Sequence, residues 1–96
     1  MPPEVEVTAS HLKVGLGGST TLICSVTRTN PGIAGMYTWR NENTGEILSE
    51  QSDTLMVTFS AINDFGTYSC TVTNSAGEMG AGNVTITQGC KFNLIL

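Results

Sequence analysis

Few side chains in this 96-residue chain have reactive chemistry open to them, and the most informative are thiols. Cysteines stand at positions 24, 70 and 90. Three is an odd number, so two fit a disulfide and one is left over. Cys24 and Cys70 lie 46 positions apart. Between them stands the one tryptophan, Trp39, and Tyr68 precedes the second cysteine by two residues. That order is expected of a β-sandwich pinned through its centre by one disulfide. Closing a loop of this length stabilises by about 4 kcal/mol in the chain-entropy picture. A bridged pair also favours an oxidising compartment.

The remaining reactive groups are sparse. Asn83-Val84-Thr85 is an N-glycosylation sequon, and Asn83 is the candidate acceptor. His11 is the one histidine and sits at an expected strand kink, where a solvated loop residue is the ordinary reading. Serines, threonines and aspartates are plentiful, but no base stands where it would activate a nucleophile. One histidine and three cysteines give no zinc-ligand spacing, and the dispersed acids form no calcium loop. The glycines form no phosphate-binding string. The domain therefore reads as neither enzyme nor holder of a metal or cofactor, although a parent protein with a receptor kinase domain is compatible with it.

Composition narrows the partners. Net charge is −4 and the pI about 4.6, with only Lys13, Arg28, Arg40 and Lys91 as cations. These are scattered, so no basic stripe exists to neutralise nucleic-acid phosphates or anionic lipid headgroups. No run approaches the ~18 apolar residues of a membrane span, so direct membrane insertion by the domain is not expected. Met1-Pro2-Pro3-Glu4 lacks the charged start and apolar core of a signal peptide. Residues 1–3 are read as leader or expression-derived residues, 4–88 as one domain, and 89–96 as a linker or added tail that does not fit the domain pattern.

The elements that must carry the cysteines are short strands. Low charge, regular glycine and abundant threonine favour an all-β domain. Val5–Ala9 alternates, Ser10-His11 interrupts it, and Leu12–Leu16 resumes, as a first strand that changes sheets would. Ser19–Val26 is the clearest strand, with Leu22, Cys24 and Val26 on one face. A long loop over 27–35 carries the Asn30-Pro31-Gly32 turn signal. Met36–Arg40, a short Glu46–Leu48, Thr54–Phe59 and Thr67–Thr73 follow as strands, the third with Leu55, Val57 and Phe59 inward. Asn74–Gly77 is a hairpin turn. Met79–Thr87 is the last strand, where Gly80 and Gly82 suggest a bulge. Seven or eight short strands with turn-separated spacing imply a sandwich.

The string Leu22-x-Cys24, Trp39, Leu55-x-Val57 and Asp64-x-Gly66-x-Tyr68-x-Cys70-x-Val72-x-Asn74-x-x-Gly77 closely resembles the immunoglobulin superfamily, most of all its intermediate (I-set) group. The resemblance covers about residues 4–88. It implies an all-β immunoglobulin-like Greek-key sandwich of two sheets. Its inter-sheet disulfide would join Cys24 to Cys70. Trp39, Leu22, Leu55 and Val57 would be core, and Tyr68 would return its hydroxyl to the backbone at a corner. Trp39 and Cys70 stand 31 positions apart, which leaves room for one short extra strand, not the two of a variable-type domain. Two departures bear on that corner. No Lys or Arg lies between Asn41 and Thr73 to pair with Asp64, so Asp64 is expected to bond backbone in its own turn. Ser60 stands where the family usually has an aliphatic residue, beside Phe59.

Recognition must then fall on faces and loops. Thr38, Arg40, Thr67, Ser69, Thr71, Thr73 and Thr85 should form one flat, hydroxyl-rich face, and a glycan on Asn83 would obstruct one sheet face. Thr21, Ile23, Ser25, Met56 and Thr58 should point out on the other, where Ile23 and Met56 would adjoin. Ile33 and Met36 are the candidate contacts of the 27–35 loop. The resemblance implies an extracellular module of a cell-surface receptor or adhesion protein, membrane-anchored through its parent. Such a module serves protein recognition or spacing in a tandem array, with a protein partner or a second copy (a homodimer) bound through a sheet face or loops. The alternatives are an intracellular I-set module of a cytoskeletal or muscle protein, and an immune-type recognition domain. Cys90 is read as an unpaired thiol, with an interchain link or a bond to a neighbouring domain as the other outcomes.

Overall fold

The computed structural model describes residues 3–28 and 34–89. Its strands are β1 (Glu4–Ala9), β2 (Lys13–Val14), β3 (Ser19–Arg28), β4 (Ala34–Asn41), β5 (Glu46–Ile47), β6 (Thr54–Thr58), β7 (Gly66–Asn74) and β8 (Met79–Gln88). A 3-10 turn, Ile62–Asp64, leads into β7. Three strands form one sheet in the order β1-β3-β6, and five form the other in the order β2-β8-β7-β4-β5. The chain is thus an all-β sandwich with one extra short strand, β5, beside β4. Residues 29–33 of the expected long loop lie outside the described residues, and β3 and β4 take up the rest of it. Residues 90–96 of the expected tail also lie outside.

The first strand does change sheets. β1 runs antiparallel to β3, and β2 runs parallel to β8. Buried Thr20 holds the crossing point. Its hydroxyl donates to the His11 carbonyl at 3.0 Å and accepts from the His11 N–H at 3.0 Å, and Ser10 Oγ lies 3.1 Å away. A buried hydroxyl satisfied three ways costs little to bury, and it ties the kink to β3.

The core lies between the sheets, where alternate residues of every long strand meet. Leu22, Cys24, Trp39, Phe59, Tyr68, Cys70, Val72 and Ile86 are all buried, with Val26, Val57 and Val84 packed at the margin. Trp39 carries a polar edge inward, and its Nε1–H donates to the Ser52 carbonyl at 2.8 Å. That bond anchors the polar stretch between β5 and β6, which hydropathy patterning leaves undefined.

Gly80 and Gly82 are not a bulge. β7 and β8 pair without a register shift from Gly66–Ile86 to Thr73–Met79. The two glycines face inward beneath β1 instead. A Cβ on Gly80 would lie 2.0 Å from the Pro3 carbonyl oxygen, and one on Gly82 would lie 2.8 Å from that of Val5. They are small so that the first strand can close that flank of the sandwich against β8.

Candidate functional site

Cys24 and Cys70 form a disulfide across the two sheets, with Cα atoms 6.3 Å apart. Each cysteine is mid-strand, and Trp39 stands opposite Cys70 in the β4–β7 ladder. The bridge, the indole and Leu22 therefore occupy one layer of the core. Leu55 is buried beside them, and Val57 is half-buried.

The corner before β7 is built from hydrogen bonds and stacked rings. Asp64 Oδ2 accepts the backbone N–H groups of Ser60 and Ala61, each at 3.0 Å, which satisfies the carboxylate without a cation. Tyr68 Oη donates to the Asp64 carbonyl at 2.5 Å. It also accepts from Asn41 Nδ2 at 3.4 Å. Burial, then the charges of Asp64 and Glu46, push the Tyr68 hydroxyl up to about 12. Phe59 and Phe65 stack with ring centroids 4.6 Å apart, and Phe59 meets Tyr68 edge-on at 6.4 Å. Phe59 and Phe65 thus supply the apolar packing that Ser60 does not.

The outer face of the five-stranded sheet is laid out in rows. Met36, Thr73 and Met79 form one row across β4, β7 and β8, and Thr38, Thr71 and Ala81 form the next. Neither row carries a charge. Arg40, Ser69 and Asn83 follow, with Ile47 of β5 opposite Arg40. Thr67 Oγ1 and Thr85 Oγ1 lie 2.8 Å apart in the last row. Met36 is 63% exposed and Met79 61%. Arg40 faces Glu42 at 3.7 Å, and Ser69 Oγ donates to Glu42 Oε2 at 2.6 Å. Met36, expected at the start of the strand that follows the 27–35 loop, lies on β4, and Met79 is the other apolar residue of its row. Ile33 lies outside the described residues. Asn83 is exposed, with Val84 turned partly inward, so its amide faces solvent on this same face.

The three-stranded face is smaller. Ile23 stands opposite Thr54, and Met56 opposite Thr21, so Ile23 and Met56 are diagonal neighbours. Both are exposed, at 43% and 69%. Sequence reading missed a groove at the sandwich's edge. This groove, of about 520 Å³, runs between β5 and β6, lined among others by Asn41, Glu46, Glu50, Leu55 and Tyr68. It depends on which strands end each sheet, a property of topology that no local motif carries. Among the described residues no three His, Cys, Asp or Glu side chains cluster to hold a metal ion, and no helix is long and apolar enough to cross a membrane.

Comparison with known proteins follows the same lines. The chain is similar over 90–98% of its length to several solved structures. The full ectodomain of mouse nectin-like molecule 4 superposes with a TM-score of 0.74 at 22% identity, covering 98% of this chain and 32% of that one. The N-terminal four immunoglobulin domains of Dscam1 isoform 4.44 superpose at 0.74 and 18% identity, covering 93% of this chain and 21% of that one. The three N-terminal domains of the bacteriophage RB49 Highly Immunogenic Outer Capsid protein give 0.72 and 19%, covering 90% and 28%. The chain thus spans about a third or less of each of these structures, and the likeness is one of fold. No curated protein sequence matches it. The family model described as immunoglobulin domain matches residues 2–74, including both bridged cysteines, Trp39 and Tyr68. With the two-sheet sandwich and its central disulfide, that match makes the chain a member of the immunoglobulin superfamily.

Proposed function

We propose that this domain is an extracellular protein-recognition module of a cell-surface receptor or adhesion chain, and that it recognises through the outer face of its five-stranded sheet. The observation that carries this reading is the pair of neutral rows Met36–Thr73–Met79 and Thr38–Thr71–Ala81. An exposed, uncharged, methionine-flanked face is a contact surface that desolvates cheaply. It also meets a copy of itself without like charges opposed, despite the net charge of −4. A second copy is therefore its first candidate partner. The buried disulfide supports an oxidising setting. The resemblance to the ectodomain of nectin-like molecule 4 agrees with that setting.

Sedimentation at rising concentration tests the reading. A dimer is expected that Met36→Glu abolishes and Ile23→Glu leaves intact. A monomer at every concentration would rule out self-recognition and point to a spacer or a different partner. Asn83 borders the neutral rows through Ser69. A glycan there would shade the face, so protein from a glycosylating host should dimerise less than its Asn83→Gln variant.

A further inference from the structure

The sandwich ends differently on its two flanks. On one, β1 and β2 divide themselves between the sheets and close the gap over Gly80 and Gly82. On the other, β6 ends the three-stranded sheet and β5 ends the five-stranded sheet, with the 520 Å³ groove between them. Tyr68 and Leu55 line it from the core, Ser49 and Glu50 from the crossing between the sheets, and Asp64 from the corner.

Two independent features of this groove point to an occupant. The first is backbone. Among the described residues β6 pairs only with β3, so the opposite edge of Leu55–Thr58 has no strand beside it. Four extended residues offer about 13 Å of ladder. An unpaired edge of that kind is a template for an added strand, with specificity supplied by pockets beside it. The second is charge. Glu46, Glu50 and Asp64 line the groove, and no Lys, Arg or His does. Arg40, the nearest cation in sequence, is engaged with Glu42 on the outer face of the other sheet. The upward push on the Tyr68 hydroxyl from Asp64 and Glu46 registers the same negative field at the groove floor.

We propose that this groove binds an extended lysine- or arginine-bearing peptide segment of another protein, added as a strand to the free edge of β6 with its cations against Glu46 and Glu50. A second copy of this chain fits poorly. Its cations Lys13, Arg28, Arg40 and Lys91 are never close enough in sequence to form a basic strand, and its net charge is −4. The proposal is independent of the five-stranded face and goes beyond the recognition reading above.

The test uses the full isotope-labelled chain and a synthetic peptide alternating threonine and lysine, with a threonine–glutamate peptide as control. The lysine peptide should shift the amide resonances of Leu55–Thr58 and slow their hydrogen exchange. The control should do neither. Glu46→Lys with Glu50→Lys should raise the Kd by about tenfold or more, and the milder Glu50→Gln should weaken binding in the same direction. Met36→Glu, which disables the other face, should leave peptide binding unchanged, so the two readings fail separately. Equal binding of both peptides would overturn the proposal. So would shifts scattered over other acidic side chains without protection of β6, or a Kd indifferent to charge reversal. A dimer lost on charge reversal of Glu46 and Glu50 would overturn the basic-peptide occupant in favour of a second copy.

Discussion

The Tyr68 hydroxyl joins the corner to the core, since it donates to the Asp64 carbonyl and accepts from buried Asn41. Tyr68→Phe should therefore lower stability by about 1–3 kcal/mol in denaturant unfolding, because a carbonyl and an amide lose their partner. Its titration has a definite sign. The folded value, about 12, lies above the ordinary 10.0, so the folded state holds the proton more tightly than the unfolded state. The stability this contributes is fully present below pH 10 and is lost as pH rises from about 10 towards about 12. In a Tyr37→Phe background, absorbance titration should show Tyr68 ionising late, and stability should fall faster with alkaline pH than in Tyr68→Phe. An ordinary phenol titration would contradict the buried corner. The sequence announces Tyr68 and Asp64 through their spacing. The roles of Asn41 and Thr20 were not legible, because a polar residue looks the same in sequence whether it is exposed or buried with its bonds satisfied. The missing aliphatic at Ser60 was visible, but the stacking of Phe59 on Phe65 that replaces it needs the fold of the turn.

At the scale of elements, strand alternation placed every long strand, and the interruption at Ser10-His11 marked the change of sheet. What patterning misread was Gly80 and Gly82. A glycine in a strand signals either a bulge or a close approach of backbone, and the two are identical in sequence. The distinction lies in β1, almost the whole chain away, whose carbonyls occupy the space of the absent side chains. Gly80→Ala should destabilise the domain by about 1–3 kcal/mol, as overpacking does. The damage should be local, with amide exchange in Glu4–Ala9 accelerating before that of β7. Unchanged protection of β1 in that variant would show that the glycines do not seat it. The groove between β5 and β6 is the same lesson reversed. Each strand was foreseen, but which edges remain free follows only from the order of strands in both sheets.

For the whole molecule, one covalent bond does much of the work that a small core cannot. A 96-residue domain buries a modest fraction of its surface, so a bridge worth about 4 kcal/mol is a large share of a typical net stability. The framework of Cys24, Trp39, Tyr68 and Cys70 was legible because it depends on residue type and spacing alone. The recognition surface was less so: Met36 stood out only as a contact beside the 27–35 loop and Met79 not at all, and only the β4–β7–β8 register brings the two to either side of Thr73. The disulfide holds the sandwich and favours the oxidising setting that a cell-surface module needs. Refolding the Cys90→Ser variant under mild oxidation and alkylating it in denaturant, with intact mass as the readout, tests it. No alkyl groups before reduction and two after, with a clear fall in Tm on reduction, is the predicted result. Two alkyl groups on unreduced, natively folded protein would contradict both the bridged core and the extracellular reading built on it.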